Sequence, residues 1–192
     1  MNLFEYRDSI WKKLPVLTTR FTSSTWNENQ TFMKQYSLKS KKNKMIYSAP
    51  IPISSKIIPE AFCVVLEMNN DLNQIIGIGL IQNIAHHRKT NVYGDMNYNR
   101  YSYFATKRID RIDMTKEEED ILLLLDSLCF KGYGHLKRGQ GITVLPLQYL
   151  YNFWLKKIDI IETIRTMFNS RFASNAASIT ITTTTSSTSI VE

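Results

Sequence analysis

Cysteine, histidine and glycine are scarce in this chain of 192 residues, and long apolar runs are missing. The cysteines, Cys63 and Cys129, both fall within apolar stretches, where a thiol behaves as a small hydrophobe. Their spacing supports neither a disulfide framework nor a zinc site. Apolar stretches such as residues 121–125 fall far short of the roughly 20 residues that span a bilayer, so no transmembrane association is expected. Glu5 and Asp8 interrupt the N-terminus and leave no signal-peptide core, which places the chain inside a cell or a particle formed there. His86-His87 has no cysteine or carboxylate at metal-ligand spacing, and neither a metal nor a cofactor is expected.

Apolar types make up 43% of the chain, enough for one compact domain over residues 1–170. Residues 171–192 are rich in Ser and Thr, with too few large side chains to build a core, and read as a low-complexity tail. The excess of 24 Lys and Arg over 17 Asp and Glu leaves a formal charge of +7, which favours acidic partners. Nucleic acid, an anionic membrane surface and an acidic protein all meet that description.

The first 44 residues scatter Phe4, Trp11, Phe21, Trp26, Phe32 and Tyr36 among polar positions, a periodicity too weak to fix elements, and read as an irregular segment. Within it, Phe32 and Tyr36 share a face of a short helix over residues 27–36. The lysine-rich stretch over residues 39–44 reads as a solvated loop. After Met45-Ile46-Tyr47, Pro50 and Pro52 exclude a central strand, because proline has no amide to donate. Residues 61–68 and 75–81 are runs of strand formers flanking the turn Asn69-Asn70-Asp71, which predicts a hairpin. Gly77 and Gly79 lie inside the returning strand, where they mark a bulge, curvature or close packing. A dinucleotide fingerprint would place its glycines at a turn into a helix, so that reading is excluded.

Residues 85–97 read as an exposed insertion carrying His86, His87, Arg88 and Lys89, followed by an aromatic strand over residues 98–108. Thr115-Lys116-Glu117-Glu118 is a capping box, and the apolar positions behind it predict a helix over residues 116–129. Pro146 opens a second helix, whose apolar face runs from Leu147 through Tyr151 and Trp154 to Phe168. The fold class that follows is α+β, a small curved sheet with two C-terminal helices.

Between those helices lies Lys131-Gly132-Tyr133-Gly134-His135-Leu136-Lys137-Arg138-Gly139-Gln140-Gly141, which holds four glycines among basic residues. Lys131, Lys137 and Arg138 supply charge for phosphate, and His135 a hydrogen bond. Gly134 and Gly139 have the separation of a phosphate-binding ATPase loop, but Gln140 and Gly141 stand where Lys and Ser or Thr are required. The other reading is a helix connection with a solvated charged edge.

The strand entry at Met45-Ile46-Tyr47, the hairpin and the aromatic strand together resemble the β-barrel organisation of PUA-like domains, including ASCH and EVE relatives. That resemblance covers roughly residues 26–150 and implies RNA or modified-base binding at a barrel edge, with Trp26, Tyr47, Tyr101 and Tyr103 as candidates to stack on a base. The run Ile75-Ile76-Gly77-Ile78-Gly79-Leu80-Ile81-Gln82-Asn83 and the glycine-rich segment also resemble uncharacterised proteins of large DNA viruses, which implies the host cytoplasm or the virion as location. The leading expectation is a noncatalytic protein that binds RNA or DNA. One alternative is a viral assembly protein that binds an acidic viral protein, favoured by a large apolar surface around Tyr151 and Trp154. Another is a nucleotide- or nucleic-acid-processing enzyme, which requires His135 to meet Asp110 or Asp113.

Overall fold

The computed structural model describes residues 1–38, 42–86 and 90–172, and the side chains of 10–13 fall outside that description. The expectations for Trp11, for residues 39–41, for His87, Arg88 and Lys89 and for the Ser/Thr tail therefore lie outside the described residues.

The expected hairpin is the centre of the sheet. Strands β3 (Phe62–Asn69) and β4 (Gln74–Gln82) pair antiparallel, and β5 (Tyr101–Asp110) adds to β4. Strand β2 (Met45–Ala49) lies outside β5 at the sheet edge, as the prolines after it require. On the other side β1 (Val16–Phe21) runs parallel to β3, and the short β6 (Thr143–Val144) completes the order β2-β5-β4-β3-β1-β6.

Alternation along β3 divides the core in two. Val64, Leu66 and Met68 face a cluster completed by α1 (Leu3–Lys13), α3 (Lys116–Phe130), α4 (Leu147–Leu155) and α5 (Ile160–Phe172). Cys63 and Val65 face the other cluster, covered by α2 (Ser23–Ser37) through Met33 and by Val92 and Tyr93. Each fully buried Leu or Ile on these faces contributes about 1.5–3 kcal/mol. Both cysteine thiols are buried in these clusters, and that burial pushes each up to about 12.

The sheet is curled into a half-barrel. Tyr47 on β2 and Glu67 on β3 have β5 and β4 between them, a separation of about 14 Å in a flat sheet with strands about 4.8 Å apart. The Tyr47 hydroxyl nevertheless donates to Glu67 at 2.7 Å, which only a rolled sheet allows.

Three expectations need correction. The N-terminal segment is not irregular but contributes α1, β1 and α2; β1 is buried at five of its six positions, so it lacks the alternation that marks a half-exposed strand. The single helix after Pro146 is two. Lys157 at φ 64 ends α4, with its amide bonded to the Trp154 carbonyl and the Ile158 amide to that of Phe153, a Schellman closure that usually carries Gly or Asn at the left-handed residue. Asp159 then caps α5 by accepting from the Glu162 amide. Finally, the insertion is not wholly exposed: the buried Asn99 accepts from the Val92 and Tyr93 amides and donates to the Tyr93 carbonyl, drawing both side chains into the core.

The capping box at α3 forms as read, with Thr115 accepting from the Glu118 amide and Glu118 from the Thr115 amide. Glu118 also holds Arg171 of α5, and this bond first of all keeps the Glu118 carboxyl below its ordinary range. Thr115→Ala is expected to cost about 1 kcal/mol, read as a fall in melting temperature of about 2–4 °C.

Candidate functional site

The glycine-rich segment is laid against the sheet edge by a residue from β1. Arg20 donates through Nε to the Leu136 carbonyl, through Nη2 to Thr18 and Thr143, and through Nη1 at long range to the Gly141 carbonyl. The segment approaches so closely that a Cβ on Gly139 would lie 2.5 Å from the Arg20 guanidinium carbon. A side chain there would have to displace the Arg20 guanidinium from its hydrogen bonds, so glycine at this position keeps the clasp intact. Asn70, in the β3–β4 turn, fixes the same segment by donating to the Lys137 carbonyl.

A cavity of about 350 Å³ opens beside this clasp. Arg20, Lys137 and Asn70 line one part of it, and Thr25 and Glu28 of α2 with Tyr93, Asp95 and Tyr98 line another. Burial lowers the pKa of Arg20, and among the described residues no carboxylate pairs with it. Among those residues its hydrogen bonds go to carbonyl and hydroxyl oxygens. Asn70 Oδ1 is buried and has no hydrogen-bond partner among the described residues. The Lys137 ammonium bonds the neutral Asn73 Oδ1 at 2.6 Å and keeps its charge available. Arg138, next in the chain, is exposed and makes no hydrogen bond or ion pair among the described residues.

Comparison with known protein families, with curated proteins and with solved structures returns no match.

The residues singled out from the sequence separate into distinct places. Lys137 lines the cavity and Arg138 adjoins it. Lys131 is exposed at the end of α3, its amide bonded to the Ser127 carbonyl. His135 is half-buried with Nδ1 unpartnered, while Asp110 is held by Arg108, so His135 meets no carboxylate among the described residues. No group of His, Cys, Asp and Glu among them suits a metal ion either.

The four aromatic candidates do not form one stacking surface. Tyr47 and Tyr103 are 0% and 1% exposed, the first bonded to Glu67 and the second accepting from the Ile53 amide, so neither ring is open to a base. Tyr101 is half-buried on β5. Trp26 is half-buried on α2, packed edge-on against Phe21 with the Arg108 guanidinium 5.4 Å from its ring centre. Of the aromatic residues that line the cavity, Tyr98, from the stretch that reads as an aromatic strand, is half-buried, whereas Tyr93, from the insertion, is buried. Tyr151 and Trp154 are half-buried and pack on Tyr6 of α1, which spends part of the apolar surface an assembly contact would use.

A polar cluster lies within the curled sheet, among residues that do not line the cavity. Glu67, 0% exposed, accepts from Tyr47 and takes two guanidinium nitrogens of Arg108, which also bonds Asp110 at 2.7 Å. Burial works against the Arg108 charge, but Glu67 and Asp110 outweigh it and raise the guanidinium above its ordinary pKa. Burial first, and then the Glu67 charge, hold the Tyr47 hydroxyl protonated well above its usual range. With its donors fixed and its carboxylate enclosed, the cluster braces the curl of the sheet and offers no open general base.

Proposed function

We propose that the chain binds single-stranded nucleic acid without catalysis, its phosphates on Lys137 and Arg138 and one base in the adjoining cavity. The observation that carries this reading is the joining of a basic loop to a cavity large enough for a small ligand, at the low end of the range for such sites. Arg20, which pairs with no carboxylate among the described residues, adds positive potential to the same lining. Tyr98, half-buried in the cavity lining, supplies aromatic contact for a base. The curled sheet is also in keeping with the PUA-like resemblance, and on that reading the cavity is its barrel-edge pocket.

Binding of the purified chain to single-stranded RNA, single-stranded DNA and duplex DNA across a salt series tests the proposal. Lys137→Ala/Arg138→Ala is expected to weaken single-strand binding by about ten-fold or more and to reduce the log–log salt slope by about 1.4. Neither side chain is needed for folding, since Asn70 holds the Lys137 backbone and Arg138 is exposed. Absence of binding to all three nucleic acids, or binding untouched by the double substitution, rejects the proposal. Enzymatic processing finds no support among the described residues, where His135 lacks its acid partner.

A further inference from the structure

The cavity carries charges of both signs that do not neutralise each other. Arg20 and Lys137 belong to the wall formed by β1 and the glycine-rich segment, whereas Glu28 and Asp95 belong to the wall formed by α2 and the insertion. No ion pair joins the two walls among the described residues. Glu28 is fixed by one oxygen, Oε2, which accepts from the Gly94 amide at 2.8 Å, and its Oε1 takes no hydrogen bond among those residues. Asp95 likewise uses Oδ1 to accept from the Asn97 amide. A pinned carboxylate with spare lone pairs is an acceptor-only group, and it selects a ligand edge made of donors.

We infer that the cavity selects guanine, with the Glu28 carboxylate accepting from the ring N1–H and the 2-amino group. This rests on the nucleic-acid reading above and names the base within it. Guanine alone among the common bases presents two adjacent donors on its pairing edge, which match the two oxygens of a carboxylate. Adenine and cytosine set an amino group beside an acceptor nitrogen, and uracil flanks its single N–H with carbonyl oxygens. Each of these turns a lone pair toward the half-buried carboxylate, where two acceptors face each other without a proton between them and the contact is unfavourable. The basic residues of the same lining take the phosphate of the same or a neighbouring nucleotide, so one ligand answers both charges.

The test uses fluorescein-labelled single-stranded RNAs that are uridine except for one central residue, either guanosine, inosine, adenosine, cytidine or uridine. Anisotropy titrations of the full chain are expected to give about ten-fold tighter binding of the guanosine probe than of the adenosine, cytidine and uridine probes. Inosine, which keeps N1–H and lacks the 2-amino group, is expected to fall between them. Glu28→Gln keeps an acceptor for the Gly94 amide but places an amide where the carboxylate was, and is expected to bring the guanosine probe down toward the others. Equal binding of all five probes overturns the inference and leaves the nucleic-acid reading standing, provided binding still depends on Lys137 and Arg138. Inosine matching guanosine, or a guanosine preference intact in Glu28→Gln, also overturns it. The inosine comparison needs no variant and so decides even where Glu28→Gln fails to fold. If no probe binds at all, the nucleic-acid reading itself fails and this inference with it.

Discussion

Glu67→Ala is expected to destabilise the protein by about 3 kcal/mol, the lower end of the range for breaking a buried ion pair. The carboxylate is the common acceptor of Tyr47 from β2 and Arg108 from β5, and its loss strands a buried hydroxyl and a guanidinium together. Asp110 still meets Arg108, whose side chain is 14% exposed, and this keeps the cost from the upper end of that range. Against a total stability of roughly 5–15 kcal/mol the change is large, and a chain of this size would lose about 6–12 °C in melting temperature. Glu67→Gln preserves the volume and one acceptor but not the charge, and should fall between wild type and Glu67→Ala. A double-mutant cycle with Arg108→Ala checks the cause. Coupling of the two sites predicts that the double variant costs clearly less than the sum of the singles, and strict additivity would show that the pair does not act as a unit.

What the sequence discloses about this fold depends on whether the physics is local. The α3 capping box and the β3–β4 hairpin are written within a few residues of each other, in Thr115 and Glu118 and in the turn around Asn69, and both form as read. Strand β1 stabilises itself through β3, some fifty residues away, and is buried too evenly to carry an alternating pattern. The break between α4 and α5 is hidden because Lys157 occupies the left-handed position that glycine usually advertises. Gly77 and Gly79 mark a bulge, curvature or close packing against another backbone; the register shifts at Glu67/Met68 opposite Gly77, and what crowds the glycines is mainly side chains, Glu67 and Arg108 at Gly77 and Tyr47 at Gly79. The candidate site divides in the same way. Lys137 and Arg138 stand out in the glycine-rich segment, but Arg20, Glu28, Tyr93 and Tyr98 come from separate elements and converge only on folding. Tyr47 and Tyr103 look like their neighbour Tyr101 in sequence; burial distinguishes them, and burial is set by the roll of the sheet.

Gly79→Ala is expected to be the more damaging of the two substitutions that fill the floor beneath the Glu67 cluster. A Cβ at Gly79 would overlap the Tyr47 hydroxyl oxygen, and the ring behind it is 0% exposed, with no free volume to retreat into. Relief requires Tyr47 to leave Glu67 or β2 to move off the half-barrel. Overpacking of a core typically costs about 1–3 kcal/mol, and the lost buried hydrogen bond adds about 1–3 kcal/mol more. Gly77→Ala meets different neighbours, with Glu67 Oε2 at 2.5 Å and Arg108 Nη2 at 2.6 Å, and a small rotation of the guanidinium toward solvent relieves part of that clash. The order of damage is therefore Gly79→Ala before Gly77→Ala, read from denaturant midpoints. Tyr47→Phe on the Gly79→Ala background decides the mechanism: it removes the oxygen that the new methyl meets, so it should recover part of the loss, whereas in wild type the same change only costs the bond to Glu67. If Tyr47→Phe lowers stability equally on both backgrounds, the clash does not lie at the hydroxyl, and the glycine has to be explained by its strand conformation instead.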